Sequence, residues 1–215
     1  MRLIWLLVAV GCSDFGVTVQ DVPVAVPPGS DDEDYGDAPD WSDCDPGYLS
    51  RYYNLAWDHP DVDPDDDDEG PLHPDDVDWW DDTWFSFERF DASADMGPNW
   101  WPVDDGFEDD PAYYSVKMTA WLRVLSGGTM QFVMGNSDDA WLLLNEEVVI
   151  DSSGVQDFHA GVVELELSSG QYALELLYAH RSGDSGLSFR AVGEDMKICF
   201  GEFEGNTEDE DEDEG

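Results

Sequence analysis

A strict two-residue alternation between positions 113 and 124 constrains the fold of this chain more than any other feature. The stretch reads "YYSVKMTAWLRV", and its apolar side chains share one face of an extended strand. The residues on this face are Val116, Met118, Ala120, Leu122 and Val124. The residues on the opposite face are Ser115, Lys117, Thr119 and Arg123. Such alternation predicts a β-strand with one face buried and the other exposed.

Similar strand signals recur at about 10–12 residues, separated by turns that contain glycine. The segments that carry them are "TMQFVMG" at 129–135, "AWLLLN" at 140–145, "VVID" at 148–151 and "GLSFRAVG" at 186–193. Between the last two lies "GVVELELSSGQYALELLYAH" at 161–180, which predicts a β-hairpin. Its two apolar faces are Val163, Leu165 and Leu167 on one arm and Tyr172, Leu174, Leu176 and Tyr178 on the other.

No segment carries a sustained helical period with caps. Residues 54–111 are rich in acids and tryptophan, and they predict long irregular connections with one strand in "TWFSFERF" at 83–90. The pattern therefore predicts an all-β chain. Its expected architecture is an antiparallel, jelly-roll-like β-sandwich with long acidic loops and disordered N- and C-terminal extensions.

The charge balance narrows the choice of partners. The chain of 215 residues has 52 acids against 8 Lys and Arg, and its formal net charge is -44. This field repels nucleic acid and anionic lipid headgroups, so we expect no nucleic acid partner. It attracts cations, although the same acids also serve to keep an aromatic-rich surface soluble. With 41% hydrophobic residues and 10 tryptophans, the chain can still bury a substantial core.

The N-terminus has the pattern of an export signal. Arg2 is followed by the short apolar run "LIWLLVAVG", and residues 1–11 are interpreted as a signal peptide. The run ends in "AVGC", which resembles a bacterial lipobox with Ala9 where leucine is usual. This resemblance implies lipidation of Cys12, and Ser13 after it implies the outer membrane. The expected location is the bacterial outer membrane or cell surface, with other secretion and an intracellular chain as alternatives.

The remaining cysteines delimit the predicted domain. If Cys12 carries lipid, Cys44 and Cys199 form an even pair that is expected to make a disulfide in an oxidising compartment. The alternative is two free buried thiols. The predicted organisation is a disordered tether at 12–43, a sandwich domain at 44–200 and an acidic disordered tail at 201–215.

Several motifs in order resemble the protective-antigen-type (PA14) β-sandwich domain. They are "GNSDDAWLLLNEEVVIDSSGV" from position 135 and the segment "GVVELELSSGQYALELLYAHRSGDSGLSFRA" from position 161. The fibro-slime variant of that domain is the most similar, and "DHPDV" at 58–62 resembles a piece near the start of that variant. The stretch "YLSRYYN" at 48–54 resembles the opening strand of the wider family. The resemblance covers about residues 44–193. It implies a domain found in a toxin, in some glycosidases and in flocculin-type adhesins.

The resemblance also implies a calcium site at the paired aspartates. In lectin members of the family an Asp-Asp pair binds Ca²⁺ across a cis peptide, which assigns that role to Asp138 and Asp139. Further oxygen ligands are expected from the loop at 178–186, with Asp184 as the candidate. His180 departs from the family pattern, because imidazole is a poor ligand for Ca²⁺. The alternative is that both aspartates cap a turn by accepting backbone N–H groups.

Two other segments are candidates for binding. Trp100 and Trp101 in "GPNWWP" are predicted platforms for stacking on a sugar ring, whereas Trp141 is interpreted as a core residue. His180, beside the calcium site, is a further candidate for ligand binding. The acidic run at 58–70 is a weaker calcium candidate. Its alternating ligands would be Asp61, Asp63 and Asp65, although it lacks the glycine and glutamate of an EF-hand loop.

The function predicted from these features is a lipid-anchored surface module that binds carbohydrate or extracellular matrix, with Ca²⁺ as the expected cofactor. The alternative is a structural protein that assembles matrix through self-association or cation bridging. No catalytic residues are assigned, although a glycosidase acid pair stays an open alternative. The "GDSG" at 183–186 is not interpreted as a protease motif, because Leu187 replaces the next glycine.

Overall fold

A computed structural model describes residues 18–19, 44–56, 59, 62, 73–98 and 113–201. This part of the chain contains twelve strands and no α-helix, as the sequence predicts. In chain order the strands are Thr18–Val19 (β1), Tyr48–Asn54 (β2), Phe85–Asp91 (β3), Ala94–Pro98 (β4), Tyr114–Val124 (β5), Gly128–Asn136 (β6), Asp139–Leu144 (β7), Glu147–Ser152 (β8), His159–Leu167 (β9), Gly170–His180 (β10), Gly186–Val192 (β11) and Met196–Cys199 (β12).

The strands form two antiparallel sheets. The larger sheet has the order β1-β8-β7-β10-β5-β2-β3, and β12 also pairs with β5. The smaller sheet has the order β4-β11-β6-β9. The prediction of an all-β, antiparallel fold is confirmed.

The alternating strand predicted from the sequence is β5, at the centre of the larger sheet. All five residues of its apolar face are fully buried. They lie beside the tyrosines and leucines of β10, with Val116 opposite Tyr178 and Leu122 opposite Tyr172. The inward residues of β6 and β11 complete the core from the smaller sheet, and the rings of Phe132 and Phe189 stack at 5.7 Å. The core therefore lies between the two sheets.

The predicted hairpin at 161–180 is wrong. Strand β9 pairs with β6 in the smaller sheet, whereas β10 pairs with β5 and β7 in the larger sheet. The short link between them crosses from one sheet to the other. The apolar period correctly placed Val163 and Leu174 inward, but it defines only the buried face and not the neighbouring strand. The two apolar faces meet across the core instead of side by side.

The outer face of the larger sheet is also covered. A second apolar cluster, here called the tryptophan layer, packs there and comprises Leu55, Val62, Trp79, Trp141, Leu143, Val148, Leu177 and Ala179. Two hydrogen bonds fix it to β5, from Ser115 Oγ to the Trp79 carbonyl at 2.6 Å and from the Trp80 indole N–H to the Val116 carbonyl at 3.2 Å. Burial of both faces explains why β7 is apolar without alternation after Asp139.

The predicted disulfide between Cys44 and Cys199 is confirmed. The two Cα atoms are 5.1 Å apart, and the sequence separation is 155. Backbone contacts support the bond, because Pro46 forms a bridge with Cys199 and the Phe200 N–H donates to the Asp45 carbonyl at 2.6 Å. A disulfide of this kind is typical of proteins that fold outside the reducing cytosol.

Of the predicted N-terminal tether, the structure describes only Thr18 and Val19, which pair with Asp151 and Ile150 of β8. The signal peptide, Cys12 and the tail from residue 202 onward lie outside the described residues and stay predictions. Within the described ranges, no helix has the length and apolar character needed to cross a bilayer.

Candidate functional site

Three connecting segments converge at one end of the sandwich, around the paired aspartates. The first is the link of Ser137 and Asp138 between β6 and β7. The second follows β8 at 153–156, and the third follows β10 at 181–185. Strand pairing brings them together, because Asp139 lies opposite Ala179 and Ala140 lies opposite Ser152.

Asp138 joins all three segments through its carboxylate. Its Oδ2 accepts the backbone N–H groups of Arg181 at 2.9 Å and Ser182 at 3.0 Å. Its Oδ1 accepts the N–H of Gln156 at 3.4 Å. The residue has a φ of 58° and no exposed surface (0%). The left-handed backbone, which aspartate tolerates better than most residues, turns the chain so that the carboxylate points inward.

Asp139 is equally buried and meets a cation of the chain itself. Its Oδ2 accepts from Arg181 Nε at 2.6 Å, and its Oδ1 accepts from the Gly154 N–H at 2.7 Å. Burial raises the pKa of the Asp139 carboxyl, whereas the Arg181 charge and the two hydrogen bonds oppose that rise. The Arg181 guanidinium also lies 5.5 Å from the ring centre of Trp79 in the tryptophan layer.

Two amide side chains hold the backbone of this turn. Asn136 Nδ2 donates to the carbonyls of Asp138 at 2.7 Å and Ser152 at 3.0 Å, and its Oδ1 accepts from Ser152 Oγ at 3.0 Å. Gln156 Nε2 adds a donor to the Asp138 carbonyl at 3.2 Å. Neither residue is among the site residues predicted from the sequence. A signal existed for Asn136, because it continues the inward register of Met130, Phe132 and Met134.

A buried group of hydroxyl and imidazole side chains lies beneath the aspartates. His180 Nδ1 is 2.7 Å from Asp138 Oδ2, and its ring centre is 5.6 Å from that of Tyr114. The Tyr178 hydroxyl is 3.0 Å from Ser137 Oγ and accepts the Gly186 N–H at 3.1 Å. These contacts join the core between the sheets to the converging segments.

The predicted site residues are only partly brought together. Asp138 and Asp139 lie side by side, but Asp184 is exposed in the loop after β10. His180 is buried (1% exposed), and its ring packs on Tyr114 beneath the loop. Its assignment as a ligand-binding residue stays a prediction. The described chain contains no cis peptide bond. Asp61, Asp63, Asp65, Trp100 and Trp101 lie outside the described residues.

The donor set around the aspartates does not fit Ca²⁺. All four carboxylate oxygens of the pair face N–H donors, and the Arg181 guanidinium lies within hydrogen-bond distance. Ca²⁺ takes six to eight oxygen ligands. No group of three or more His, Cys, Asp and Glu side chains in the described ranges is arranged to hold a metal. The contacts agree with the alternative in which the pair accepts backbone N–H groups.

The outermost strand of the larger sheet, β3, exposes aromatic side chains. Phe85 and Phe90 are 40% and 50% exposed. The Arg51 guanidinium lies 4.8 Å from the Phe85 ring centre and pairs with Asp82 at 2.8 Å. The Phe90 ring contacts Phe200, which follows β12. This surface is the part of the described chain where exposed aromatic rings lie on regular structure.

Comparison with known proteins identifies the fold. No protein-family description and no curated protein matches the sequence. The PA14 sugar-binding domain of an RTX adhesin matches with 22% identity, 71% coverage of this chain, 94% coverage of that domain and a TM-score of 0.50. The chain has the PA14-type fold.

Two further solved structures are similar to this chain. The PA14 domain of the MpAFP antifreeze protein matches with 14% identity and a TM-score of 0.49, covering 71% of this chain and 86% of that domain. The β-glucosidase of Kluyveromyces marxianus, solved with glucose, matches with 16% identity and a TM-score of 0.43 over 69% of this chain. This chain spans only 16% of the length of that enzyme.

Proposed function

We propose that this PA14-type sandwich is a carbohydrate- or matrix-binding module of an exported surface protein. The observation that carries the proposal is the fold shared with the sugar-binding PA14 domain of the RTX adhesin. This chain matches 94% of the length of that domain. The Cys44–Cys199 disulfide supports an extracellular setting. Binding modules carry their specificity on connecting segments held by a rigid frame, and the converging segments at one end of this sandwich have that arrangement.

The described residues before and after 99–112 support a role for Trp100 and Trp101. Pro98, which precedes this segment, pairs with Gly186, and Gly186 follows the loop after β10. Tyr114, near its other end, pairs with His180. The described residues that flank 99–112 are therefore paired with residues near the aspartate pair. A tryptophan so close in sequence to a binding end is suited to stack on the apolar face of a pyranose ring.

The proposal is tested by glycan-array binding followed by titration of the best ligand. The double variant Trp100→Ala and Trp101→Ala is expected to weaken binding at least about tenfold, because stacked aromatic rings contribute about 1 kcal/mol or more each. Phe90→Ala, which removes an exposed ring from β3, is the matched control and is expected to keep the affinity. Equal affinity of the double variant and the wild type would exclude the tryptophans.

The second candidate function is matrix assembly without a sugar site. It would be favoured by an array on which no glycan binds, together with self-association of the purified chain. Sedimentation velocity with and without added divalent cation distinguishes self-association from cation bridging. The acidic run at 58–70 with Asp61, Asp63 and Asp65 is the proposed bridging segment. Substitution of these three aspartates by asparagine is expected to abolish the increase in sedimentation coefficient that the divalent cation causes.

The finer proposal for location is a lipid anchor at Cys12. It rests on the "AVGC" pattern and the apolar run before it. Expression in a bacterial host with labelled palmitate is expected to label the wild-type chain and not Cys12→Ser. A wild-type chain without label, released into the periplasm, would replace the anchor with simple export.

A further inference from the structure

Two adjacent carboxylates are buried together at this site, and buried charge requires a compensating partner nearby. Neither Asp138 nor Asp139 has exposed surface (0% each). The described cationic or titratable groups that contact them are Arg181, with Nε 2.6 Å from Asp139 Oδ2, and His180, with Nδ1 2.7 Å from Asp138 Oδ2. The compensation therefore comes from the chain itself.

Arg181 is fixed in place by contacts with both aspartates. Its backbone N–H donates to Asp138 Oδ2 at 2.9 Å, and its side chain donates to Asp139. The guanidinium lies 5.5 Å from the Trp79 ring centre, and the side chain is only 11% exposed. The guanidinium therefore places a positive charge directly against the aspartate pair.

We propose that Arg181 is the resident cation of the aspartate pair and that the site needs no divalent ion. A divalent cation would have to bind the same carboxylate oxygens that already accept N–H donors. It would also lie close to the guanidinium, and two like charges within a few ångströms in a buried site repel strongly. The positive charge that the family resemblance assigns to Ca²⁺ is thus supplied by the side chain of Arg181. This proposal does not depend on what the sandwich binds.

The first experiment measures thermal unfolding of the full wild-type chain in EDTA, in Ca²⁺ and in Mg²⁺ at equal concentration. Mg²⁺ controls for general screening of the net charge of -44. The wild-type Tm is expected to be the same in EDTA and in untreated buffer. It is expected to agree within about 1 °C between Ca²⁺ and Mg²⁺, since a specific site would raise the Tm only for its own ion.

The second experiment removes the charge with Arg181→Gln and keeps it with Arg181→Lys. Breaking a buried ion pair at one partner is expected to lower the Tm by about 10 °C for Arg181→Gln. Arg181→Lys is expected to lower the Tm by less than Arg181→Gln does. Because the aspartates of Arg181→Gln then lack their cation, Ca²⁺ is expected to raise its Tm by several degrees more than Mg²⁺ does. Arg190→Gln, at an exposed arginine on β11, is the matched control and is expected to change the Tm by about 1 °C or less.

Three results would overturn the proposal. The first is a wild-type Tm that falls in EDTA and recovers in Ca²⁺, with the same response in a chain in which Asp61, Asp63 and Asp65 are changed to Asn, which would mean that a metal already occupies the aspartate pair. The second is an Arg181→Gln variant as stable as Arg190→Gln. The third is an Arg181→Gln variant that responds equally to Ca²⁺ and Mg²⁺. Both chains of the first test keep Arg181, so that test decides the matter even if Arg181→Gln fails to fold.

Discussion

At the scale of single residues, Asp138 shows how a strained backbone is retained by its side chain. A φ of 58° is uncommon for a residue other than glycine and costs roughly 1 kcal/mol. The carboxylate offsets this cost because it accepts N–H groups from Gln156, Arg181 and Ser182. Hydrogen bonds to a charged acceptor are stronger than those between neutral groups. The turn therefore depends on the aspartate and on the amide side chains around it.

Asn136→Ala is expected to destabilise the fold by about 2–4 kcal/mol. The substitution removes the shorter of the hydrogen bonds to the Asp138 and Ser152 carbonyls and to the Ser152 hydroxyl in a buried site. Only the longer contacts with Gln156 Nε2, at 3.2 to 3.4 Å, stay in place. Urea unfolding monitored by tryptophan fluorescence measures the loss. Gln131→Ala is the control, because that amide hydrogen-bonds Glu164 on an exposed face, and its effect is expected to be about 0.5 kcal/mol or less. Similar losses for both variants would contradict a structural role for Asn136.

The sequence predicted which carboxylates matter at this site but not what surrounds them. Two adjacent aspartates before an apolar strand are visible in the printed chain. Their contact with Arg181 is not, because 42 residues separate Arg181 from Asp139 and only the pairing of β7 with β10 brings them together. A family resemblance supplied calcium as the missing cation. The local contacts instead provide a guanidinium and backbone N–H groups.

At the scale of elements, apolar periodicity predicts faces better than neighbours. It placed the inward residues of β5, β9 and β10 correctly. It could not separate a hairpin from a crossover, since β9 and β10 have the same alternation whether they pair or face each other across the core. The short strands β4 and β12 were not predicted, because four or five residues carry too little periodic signal.

The hairpin of β7 and β8 offers a direct test of turn chemistry. Asn145 and Glu146 form its loop with φ values of 49° and 69°, as a type I′ turn requires. Asparagine suits the first position, but glutamate at the second is strained. Glu146→Gly is therefore expected to stabilise the fold by about 0.5–1 kcal/mol, measured by urea unfolding.

Glu147→Gly is the matched control for this turn. Glu147 is also exposed, but it begins β8, where glycine is expected to destabilise by about 0.5–1 kcal/mol. The two neighbouring substitutions should therefore change stability in opposite directions. Destabilisation by both would show that backbone strain at Glu146 is not what limits the hairpin.

At the scale of the whole molecule, the disulfide closes nearly the entire sandwich into one loop. Cys44 lies just before β2 and Cys199 ends β12, so the bond ties the two ends of the domain together. Such a long loop has a large closure entropy in the unfolded chain, which a crosslink removes. The domain boundaries predicted from the cysteines therefore have a thermodynamic reason.

The double variant Cys44→Ser and Cys199→Ser is expected to lose up to about 5 kcal/mol of stability, given a separation of 155 residues. Urea unfolding of this variant, compared with the oxidised wild type, measures the difference. Wild type treated with a thiol reductant should match the variant, because both lack the crosslink. A reduced protein that is as stable as the oxidised one would show that backbone pairing alone holds the ends together.

The buried tyrosines are expected to make alkaline unfolding cooperative. Burial raises the pKa of Tyr48, Tyr52, Tyr114 and Tyr178 above the usual value near 10, and Asp91 adds to the rise at Tyr52. A raised folded-state pKa means that the folded chain keeps these phenols neutral where the unfolded chain ionises them. Their contribution to stability is thus complete below about pH 10 and is lost as the pH rises above that value.

Two signals followed together through an alkaline titration test this expectation. Tyrosinate absorbance and near-ultraviolet circular dichroism should change in a single transition above about pH 10, since ionisation of the buried phenols requires the core to open. The same chain in concentrated guanidinium should titrate without cooperativity near pH 10. The decisive comparison is the number of phenols that ionise before the dichroism changes. Ionisation of Tyr114 and Tyr178 within a folded sandwich would mean that solvent reaches the buried side chains beneath the aspartates. The site would then be far less rigid than its contacts indicate.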